Sequence, residues 1–305
     1  MMMNEEVPIH LPSNSNLVSV IIVSYNTKPQ LTHCLECLKE SLHEVIVVDN
    51  HSTDGSPEMV LSKFPNVKLI QLNENQGFGR ANNHGIELAT NDLILFLNSD
   101  AYAKPGAIER LAGTMQNMNV VACGGKLLNP DGSLQESVTR GLSLWFVLLE
   151  QLLLEPMFRK IGLGYWITQQ LQNKPESSVR QVMGACLLTR KSLGEQFDPR
   201  FFLYCEDTEL CYRLISHGEI HYVSEAEFIH ELGASSTNER WKSVIRYNKG
   251  KELYFRIHFG KITSALCWLI NKVGALLRVV ISLPLAPLKT EHKAKLAIFW
   301  KVLWS

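Results

Sequence analysis

Net charge is the first thing this 305-residue sequence lacks: thirty Lys and Arg offset thirty Asp and Glu. No long basic run appears before the C-terminal quarter, so nothing in the charge pattern favours a nucleic-acid partner, and none is expected. A cysteine framework is missing too. The seven cysteines (34, 37, 123, 186, 205, 211 and 267) are odd in number and scattered, which excludes a disulfide-stapled scaffold and fits a reducing cytoplasm. Cys34 and Cys37 form a CxxC, but no second pair lies at zinc-finger spacing, and three-apart residues simply share a helix face. Residues 1–16 lack an apolar segment of signal length and are expected to be a flexible tail. The greasiest stretch, Ile262 to Leu283, lacks eighteen uncharged residues in a row, because Lys272 and Arg278 interrupt it.

What remains is 46% apolar residues, enough for a real core in one large domain with additions. Leu17 to Ser24, Val45 to Val48, Val67 to Leu72 and Leu93 to Leu97 read as strands, the first, second and fourth as buried runs. Helical patterns fall between them, from Leu31, from Ser56, and through Ala89. Regular alternation predicts right-handed crossovers and an α/β fold with a Rossmann-like, mostly parallel central sheet. Farther on, a helix is expected over Lys104 to Met118, strands over Val120 to Leu128 and Val182 to Thr189, and a turn at Asn129 to Gly132. The greasy stretch from Leu142 to Trp166 suits a hydrophobic helix or flap facing an acceptor or the core. Gln170 to Ser178 reads as loop. Phe201 to Tyr204 reads as an aromatic strand leading to an acidic helix start, and His221 to Val223 as a strand before His230.

Polar or glycine-rich loops end the strands at Asp49, near Asn73, and at Asp100. In open parallel sheets such loops bind ligands at the strands' carboxyl ends, so a nucleotide site there is the default expectation. A diphosphate leaving group needs a cation or fixed donors. Asp100 and His230 offer carboxylate oxygen and imidazole, while the backbone around Gly77 and Gly79, with Arg80, offers donors. Each feature has a plainer reading: Asp100 also suits a simple turn. Likewise Glu206 and Asp207, candidates for a base that deprotonates an acceptor hydroxyl, also suit the positive end of a helix dipole.

The order of motifs is more specific than any one of them. It runs Val20-Ile21-Ile22-Val23-Ser24-Tyr25-Asn26, Val47-Val48-Asp49-Asn50 with Ser52 and Asp54-Gly55-Ser56, Asn75-Gln76-Gly77-Phe78-Gly79-Arg80-Ala81-Asn82-Asn83, then Leu97-Asn98-Ser99-Asp100. Gly184-Ala185, Phe197-Asp198, Phe201 to Tyr204 with Glu206-Asp207, and His230 with Gly233 and Ser235 complete it. Over residues 17 to about 237 the chain resembles a family 2 glycosyltransferase of the GT-A fold, in the bacterial rhamnosyltransferase-like branch. The resemblance implies that Asp49 reads the nucleobase and Asp54 supports the nucleotide pocket. It also implies that Asp100, helped by His230, holds a divalent cation, Mn2+ or Mg2+, and that Asp207 is the general base, with Glu206 orienting groups beside it. Tyr25, Asn26, Asn50, Asn75, Gly77, Phe78, Arg80, Asn83, Asn98, Ser99, Gly184 and Ala185 are the remaining expected donor-site residues. Two departures stand out: Asn98 occupies the position where many relatives carry the first acid, and Glu209 replaces an aspartate common two places after the base.

The implied reaction is inverting, with rhamnose from dTDP-rhamnose as the expected sugar and donor and a glycan or lipid-linked saccharide as acceptor. UDP-sugar donors, an inactive nucleotide-sugar-binding scaffold, and a nucleotidyltransferase are the alternatives. Three regions follow: the tail 1–16, a catalytic domain 17–237 divided at residue 100 into nucleotide-binding and acceptor-binding halves, and a C-terminal helical extension 238–305. Trp268, Trp300 and Trp304, with Arg278, Lys289, Lys293, Lys295 and Lys301, give that extension the mixture expected at anionic headgroups. It is expected to lie on the cytoplasmic membrane surface, at the inner face of the cell membrane; packing on the catalytic domain or in a homodimer is the other reading.

Overall fold

The computed structural model describes residues 17–231, 240–284 and 290–305. Gly233 and Ser235 lie outside the described residues. The first half alternates β1 (Val18–Ser24), α1 (Lys28–Cys37), β2 (Glu44–Asp49), α2 (Ser56–Lys63), β3 (Lys68–Gln71), α3 (Phe78–Leu88) and β4 (Leu93–Asn98). The second half runs β5 (Ala101–Ala103), α4 (Ala107–Thr114), β6 (Val120–Leu128), β7 (Val138–Thr139), α5 (Leu144–Gln151), α6 (Glu155–Lys160) and α7 (Thr168–Leu171). It continues with β8 (Glu176–Val179), β9 (Gln181–Val182), β10 (Cys186–Arg190), α8 (Glu206–Leu214), β11 (Glu219–His230), α9 (Arg240–Ser282) and α10 (Thr290–Leu303).

The main sheet has the order β3-β2-β1-β4-β10-β6-β11-β5, with β8 added on β11. Strands β1, β2, β3 and β4 pair in parallel, and β10 enters antiparallel between β4 and β6. β6 and β11 are parallel to each other, so the mostly parallel Rossmann-like sheet is present, with β5, β8 and β10 reversed. One face buries Val18, Val20 and Ile22 against α1, α2 and α4; the other buries Ile21, Ile46 and Val48 with α3 and α8. The period-2 side-chain alternation of β1 supplies both cores, which is why its sequence is apolar throughout.

Sequence expectation and structure differ in four places. The helix expected from Lys104 is shorter, because Ala101–Ala103 is first used as an edge strand on β11. Part of the expected loop Gln170 to Ser178 is structured as α7 and β8. Phe201 to Tyr204 is not a strand; it is a bent connection ending in Tyr204 (φ 73°) and Cys205 (φ 68°), two consecutive left-handed residues. His221 to Val223 and Phe228-Ile229 belong to one long strand, β11.

The C-terminal helices are shaped by Gly260, whose φ of 85° and ψ of 175° break α9. Asn271 Nδ2 donates to Glu252 Oε1 at 2.8 Å and Ser264 Oγ to the Glu252 carbonyl at 2.9 Å. Along a straight helix, residues 252 and 271 would be roughly 28 Å apart. The two arms of α9 therefore fold back on one another at Gly260. Lys272 donates to the carbonyls of Val302, Leu303 and Ser305 at the end of α10, and Arg278 to those of Glu150 and Gln151 at the end of α5. Both cations that interrupt the apolar stretch in the sequence are thus turned inward onto helix C-termini, where the dipole favours them. The outward face of the second arm is left aliphatic: Ile262, Leu266, Leu269, Val273, Leu276 and Val280 are all exposed, spaced alternately four and three.

Helix α3 crosses β1 at Gly85, where a Cβ would lie 2.4 Å from Ile21 Cγ2. Gly85→Ala should cost about 1–3 kcal/mol through overpacking, read as a lower urea midpoint with an unchanged slope; an unchanged midpoint would show that this crossing tolerates a methyl group.

Candidate active site

The carboxyl ends of β1, β2 and β4 put Ser24, Asp49 and Asn98 at one edge of the sheet. Asp49 Oδ2 accepts from the Ser52 N–H at 2.9 Å, while its Oδ1 is buried without a partner. A buried, unpaired acceptor is costly unless something donates to it, so this atom is ready for an N–H from a bound base. Tyr25 beside it is exposed, and Asn26 Oδ1 accepts from the Thr53 N–H at 2.8 Å, tying the first loop to the second. Asp54 accepts from Lys28 N (2.8 Å), Ser56 N (3.0 Å) and Ser56 Oγ (2.6 Å). Burial raises its carboxyl, but the hydrogen bonds from Ser56 and Lys28 outweigh that and hold it below its ordinary value. Asp54 thereby braces the starts of α1 and α2.

Asn50 and Asn75 build the next loop. Asn50 Oδ1 accepts from the Gln76 N–H, its Nδ2 donates to Asn75 Oδ1 and the Gly77 carbonyl, and Asn75 Oδ1 accepts from the Gly77 N–H. Gly77 has φ 84°, and a Cβ there would sit 2.1 Å from the Phe202 carbonyl oxygen, which also accepts from the Phe78 N–H at 2.9 Å. Only glycine allows this approach. Arg80 Nε donates to the Pro199 carbonyl, and both polar ends of Asn83 are engaged by the backbone of Phe197. Gly77, Arg80 and Asn83 therefore fasten the residue 75–83 segment to the residue 197–202 segment that leads into α8.

Asp100 and His230 meet across the sheet, since β11 pairs with β5 so that His230 faces Ala101. His230 Nε2 lies 3.3 Å from Asp100 Oδ1 and 3.3 Å from Asn98 Nδ2. The tautomer follows from Gln135. Its Nε2 donates to Asn129 Oδ1 and the His230 carbonyl, leaving its Oε1 to accept from His230 Nδ1 at 2.7 Å. A proton on Nδ1 leaves a lone pair on Nε2, directed at a carboxylate and an amide donor. Imidazole and carboxylate facing one another in this way, with the outer nitrogen fixed by a second residue, fit a divalent cation that takes its remaining ligands from phosphate and water. Among the described residues no group of three or more His, Cys, Asp or Glu converges, so the protein alone would supply two ligands. Ser99, between Asn98 and Asp100 in sequence, is buried, and its Oγ is hydrogen-bonded with Thr27 Oγ1 at 2.9 Å.

Asp207 and Glu206 open α8. The Gly184 N–H donates to Asp207 Oδ2 at 2.9 Å, Thr208 N–H to Oδ1 at 2.7 Å, and a Cβ on Gly184 would come within 3.1 Å of Asp207 Cβ. The neighbouring Ala185 carbonyl accepts from the Asn98 N–H at 3.1 Å. Consecutive residues 184 and 185 thus hold Asp207 on one side and the end of β4, two residues from Asp100, on the other. Burial raises the Asp207 carboxyl despite the hydrogen bonds from Gly184 and Thr208. Glu206 is buried with Oε2 unpaired, and burial followed by the charge of Asp207 pushes it up to about 8. Burial thus raises both carboxyls of the pair, and the charge of Asp207 adds to the rise of Glu206. Glu209 points elsewhere, bonded to Arg213 and His258 of α9.

Sequence reading missed Gln135 and Gly250. Gln135 lies 95 residues from His230, and no local pattern marks it. A Cβ on Gly250 would meet the Tyr204 carbonyl oxygen at 2.7 Å and Cys205 Cβ at 3.1 Å, so α9 directly backs the left-handed turn that aims α8. A separate cavity of about 520 Å³, lined in part by Arg140, Val179, Arg180 and Ile220, contains none of the predicted site residues.

On this α/β sheet the strand ends that carry Asp49 and Asp100 are joined through residues 184 and 185 to a buried carboxylate pair. Residues 19–192 match the Glycosyl transferase family 2 model, and the chain belongs to that family. It moves a sugar from a nucleotide-sugar donor. Among its relatives, an N-acetylglucosaminyl-diphospho-decaprenol L-rhamnosyltransferase of Mycobacterium tuberculosis is 29% identical over 84% of this chain and 90% of its own length. The putative glycosyltransferase EpsH of Bacillus subtilis is 34% identical over 32% of this chain and 30% of its own. In fold the chain is similar to the mannosyltransferase PcManGT of Pyrobaculum calidifontis, solved with GDP-Man and Mn2+ (TM-score 0.55, 15% identity, 98% of this chain and 89% of that one). It is also similar to S. aureus TarS (TM-score 0.51, 16% identity, 95% and 90%).

Because the folded Glu206 binds its proton more tightly than the unfolded side chain, its own contribution to stability should be complete below pH 4.5 and be lost as pH rises toward about 8. Melting temperatures of the wild type and Glu206→Gln, compared across that window, should diverge with rising pH, the wild type losing more; parallel curves would show that Glu206 ionises normally.

Proposed function

We propose that the protein is an inverting, metal-dependent rhamnosyltransferase that uses dTDP-rhamnose and a lipid-linked saccharide acceptor. The single observation carrying the mechanism is that residues 184 and 185 tie Asp207 to the end of β4, beside Asp100 and His230. Asp207 accepts the proton of the acceptor hydroxyl as that oxygen bonds to the anomeric carbon. The bond from that carbon to the diphosphate oxygen breaks on the opposite face, and nucleoside diphosphate leaves. Protonated Glu206 lies next to the base and keeps a second negative charge away from it. Asp49 Oδ1 accepts from the nucleobase, and the exposed Tyr25 covers it. Asp100 and His230 Nε2 would hold Mn2+ or Mg2+, which when bound supplies positive charge to the leaving diphosphate. The Mycobacterium tuberculosis relative, matched over 90% of its length, supports the choice of rhamnose and of a polyprenyl-linked acceptor.

The composition of the C-terminal helices supports a site of action at the inner face of the cytoplasmic membrane. Residues 240–305 hold thirteen Lys and Arg against two Asp and Glu, so the rest of this neutral chain carries the compensating acids. A cationic extension with an aliphatic stripe suits anionic lipid.

Asp207→Asn should lower transfer from dTDP-rhamnose by about a hundredfold to ten-thousandfold while calorimetric donor binding is kept; turnover near wild type would remove Asp207 from the base role. Asp100→Ala should abolish the Mn2+ dependence of dTDP binding in the same calorimeter, and an unchanged dependence would place the cation elsewhere.

A further inference from the structure

The stretch following α5 presents a second apolar surface that the reading above does not use. Trp145, Leu153, Met157, Ile161 and Leu163 are each about half exposed or more, and Leu154 more than a third. Leu153 has φ 62°, in the left-handed region that a leucine adopts at a cost. That conformation closes α5, with the Leu153 N–H donating to the Glu150 carbonyl at 3.2 Å and the Leu154 N–H to the Leu149 carbonyl at 2.8 Å, but the exposed apolar side chains themselves gain nothing from the cap. The knob is also stiffly mounted. Arg278 caps the last carbonyls of α5, Gly274 lies against Gln151 so closely that a Cβ would meet Gln151 Oε1 at 2.1 Å, and the buried Lys251 pairs with Glu150 at 3.0 Å. These contacts set the knob beside Gly274 and Arg278, on the arm of α9 that carries the exposed Leu276 and Val280.

We propose that the knob at residues 153–163 is a membrane-insertion element that enters an anionic bilayer together with the aliphatic stripe of α9. The proposal rests on the membrane placement argued above and extends it to a new element. Charge selects the occupant: Lys160 closes α6 within the knob, and Lys261, Lys293 and Lys301 are exposed on the neighbouring helices, while Arg159 is paired with Glu136 and Glu155 and Lys295 with Glu291. Aliphatic groups ringed by cations match acyl chains below anionic headgroups better than they match a second copy bearing the same cations. Position gives the function. Leu142 and Val147, beside and in α5, share one cluster with Phe201, Cys205, Tyr254 and Phe255, and Cys205 precedes the two acids of α8. A knob sunk in the bilayer therefore sets the base close above the lipid surface, where the saccharide of a lipid-linked acceptor emerges.

The test uses the full chain and vesicles of phosphatidylcholine containing phosphatidylglycerol. Met157→Asp with Ile161→Asp should lower vesicle partitioning by about tenfold or more, while the melting-temperature gain with dTDP stays at the wild-type value. In the wild type, amides of residues 152–163 should exchange more slowly on vesicles than off them. Undiminished partitioning of the variant, or unchanged exchange on vesicles, overturns the knob. Failure of the wild type to bind vesicles at all overturns the membrane placement as well. Loss of a dimer in sedimentation velocity, with vesicle binding intact, would make the knob a contact between copies and overturn its lipid role.

Discussion

Everything in this active site depends on two backbone hydrogen bonds from adjacent residues: Gly184 N–H to Asp207 Oδ2, and Asn98 N–H to the Ala185 carbonyl. Without them the end of β4 and the start of α8 would be independent elements joined by more than a hundred residues of chain. With them, Asp207, the proposed base, is fixed relative to Asp100 and His230, the proposed cation ligands. A Cβ on Gly184 would press on Asp207 Cβ at 3.1 Å, so glycine leaves room for this close approach. Such preorganisation places both charges before substrate arrives, which is where electrostatic catalysis gains most.

Around that joint the chain arranges supports of graded rigidity. Gly77 lets the Phe202 carbonyl come down onto the loop after β3, and Gly250 lets α9 come up under Tyr204 and Cys205. The two left-handed residues between them hold a backbone geometry that neither would adopt alone. The C-terminal helices are thus part of the scaffold for Glu206 and Asp207 as well as the cationic, aliphatic surface of the protein. Burial of the acid pair then does chemical work: it raises both carboxyls, and the charge of Asp207 raises Glu206 further.

Much of this was legible in the chain itself. The strands β1, β2 and β4 are continuous β-branched or aliphatic runs because both faces are covered, and that leaves an unmistakable pattern ending at Asp49 and Asp100. Edge strands left none: β5 has three residues, and β8 is Glu-Ser-Ser-Val, polar because it lies on the rim and is held only through β11. The bend at Tyr204 and Cys205 reads as strand from its aromatics, since the force that bends it comes from Gly250, some 45 residues away. Arg278 looks like a headgroup contact in sequence, yet the reversal at Gly260 turns it, together with Lys272, onto helix ends. Of the site, the acids and glycines announce themselves by position. Gln135, which fixes the His230 tautomer, could be found only from the folded chain.

The most direct measurement is anomalous diffraction from crystals grown with Mn2+ and dTDP. The account predicts one manganese peak touching Asp100 and His230 Nε2, bridging the diphosphate, with the Asp207 carboxylate facing the position of the missing sugar. A peak away from those two side chains, or a diphosphate bound on a surface that Asp207 does not face, would contradict it.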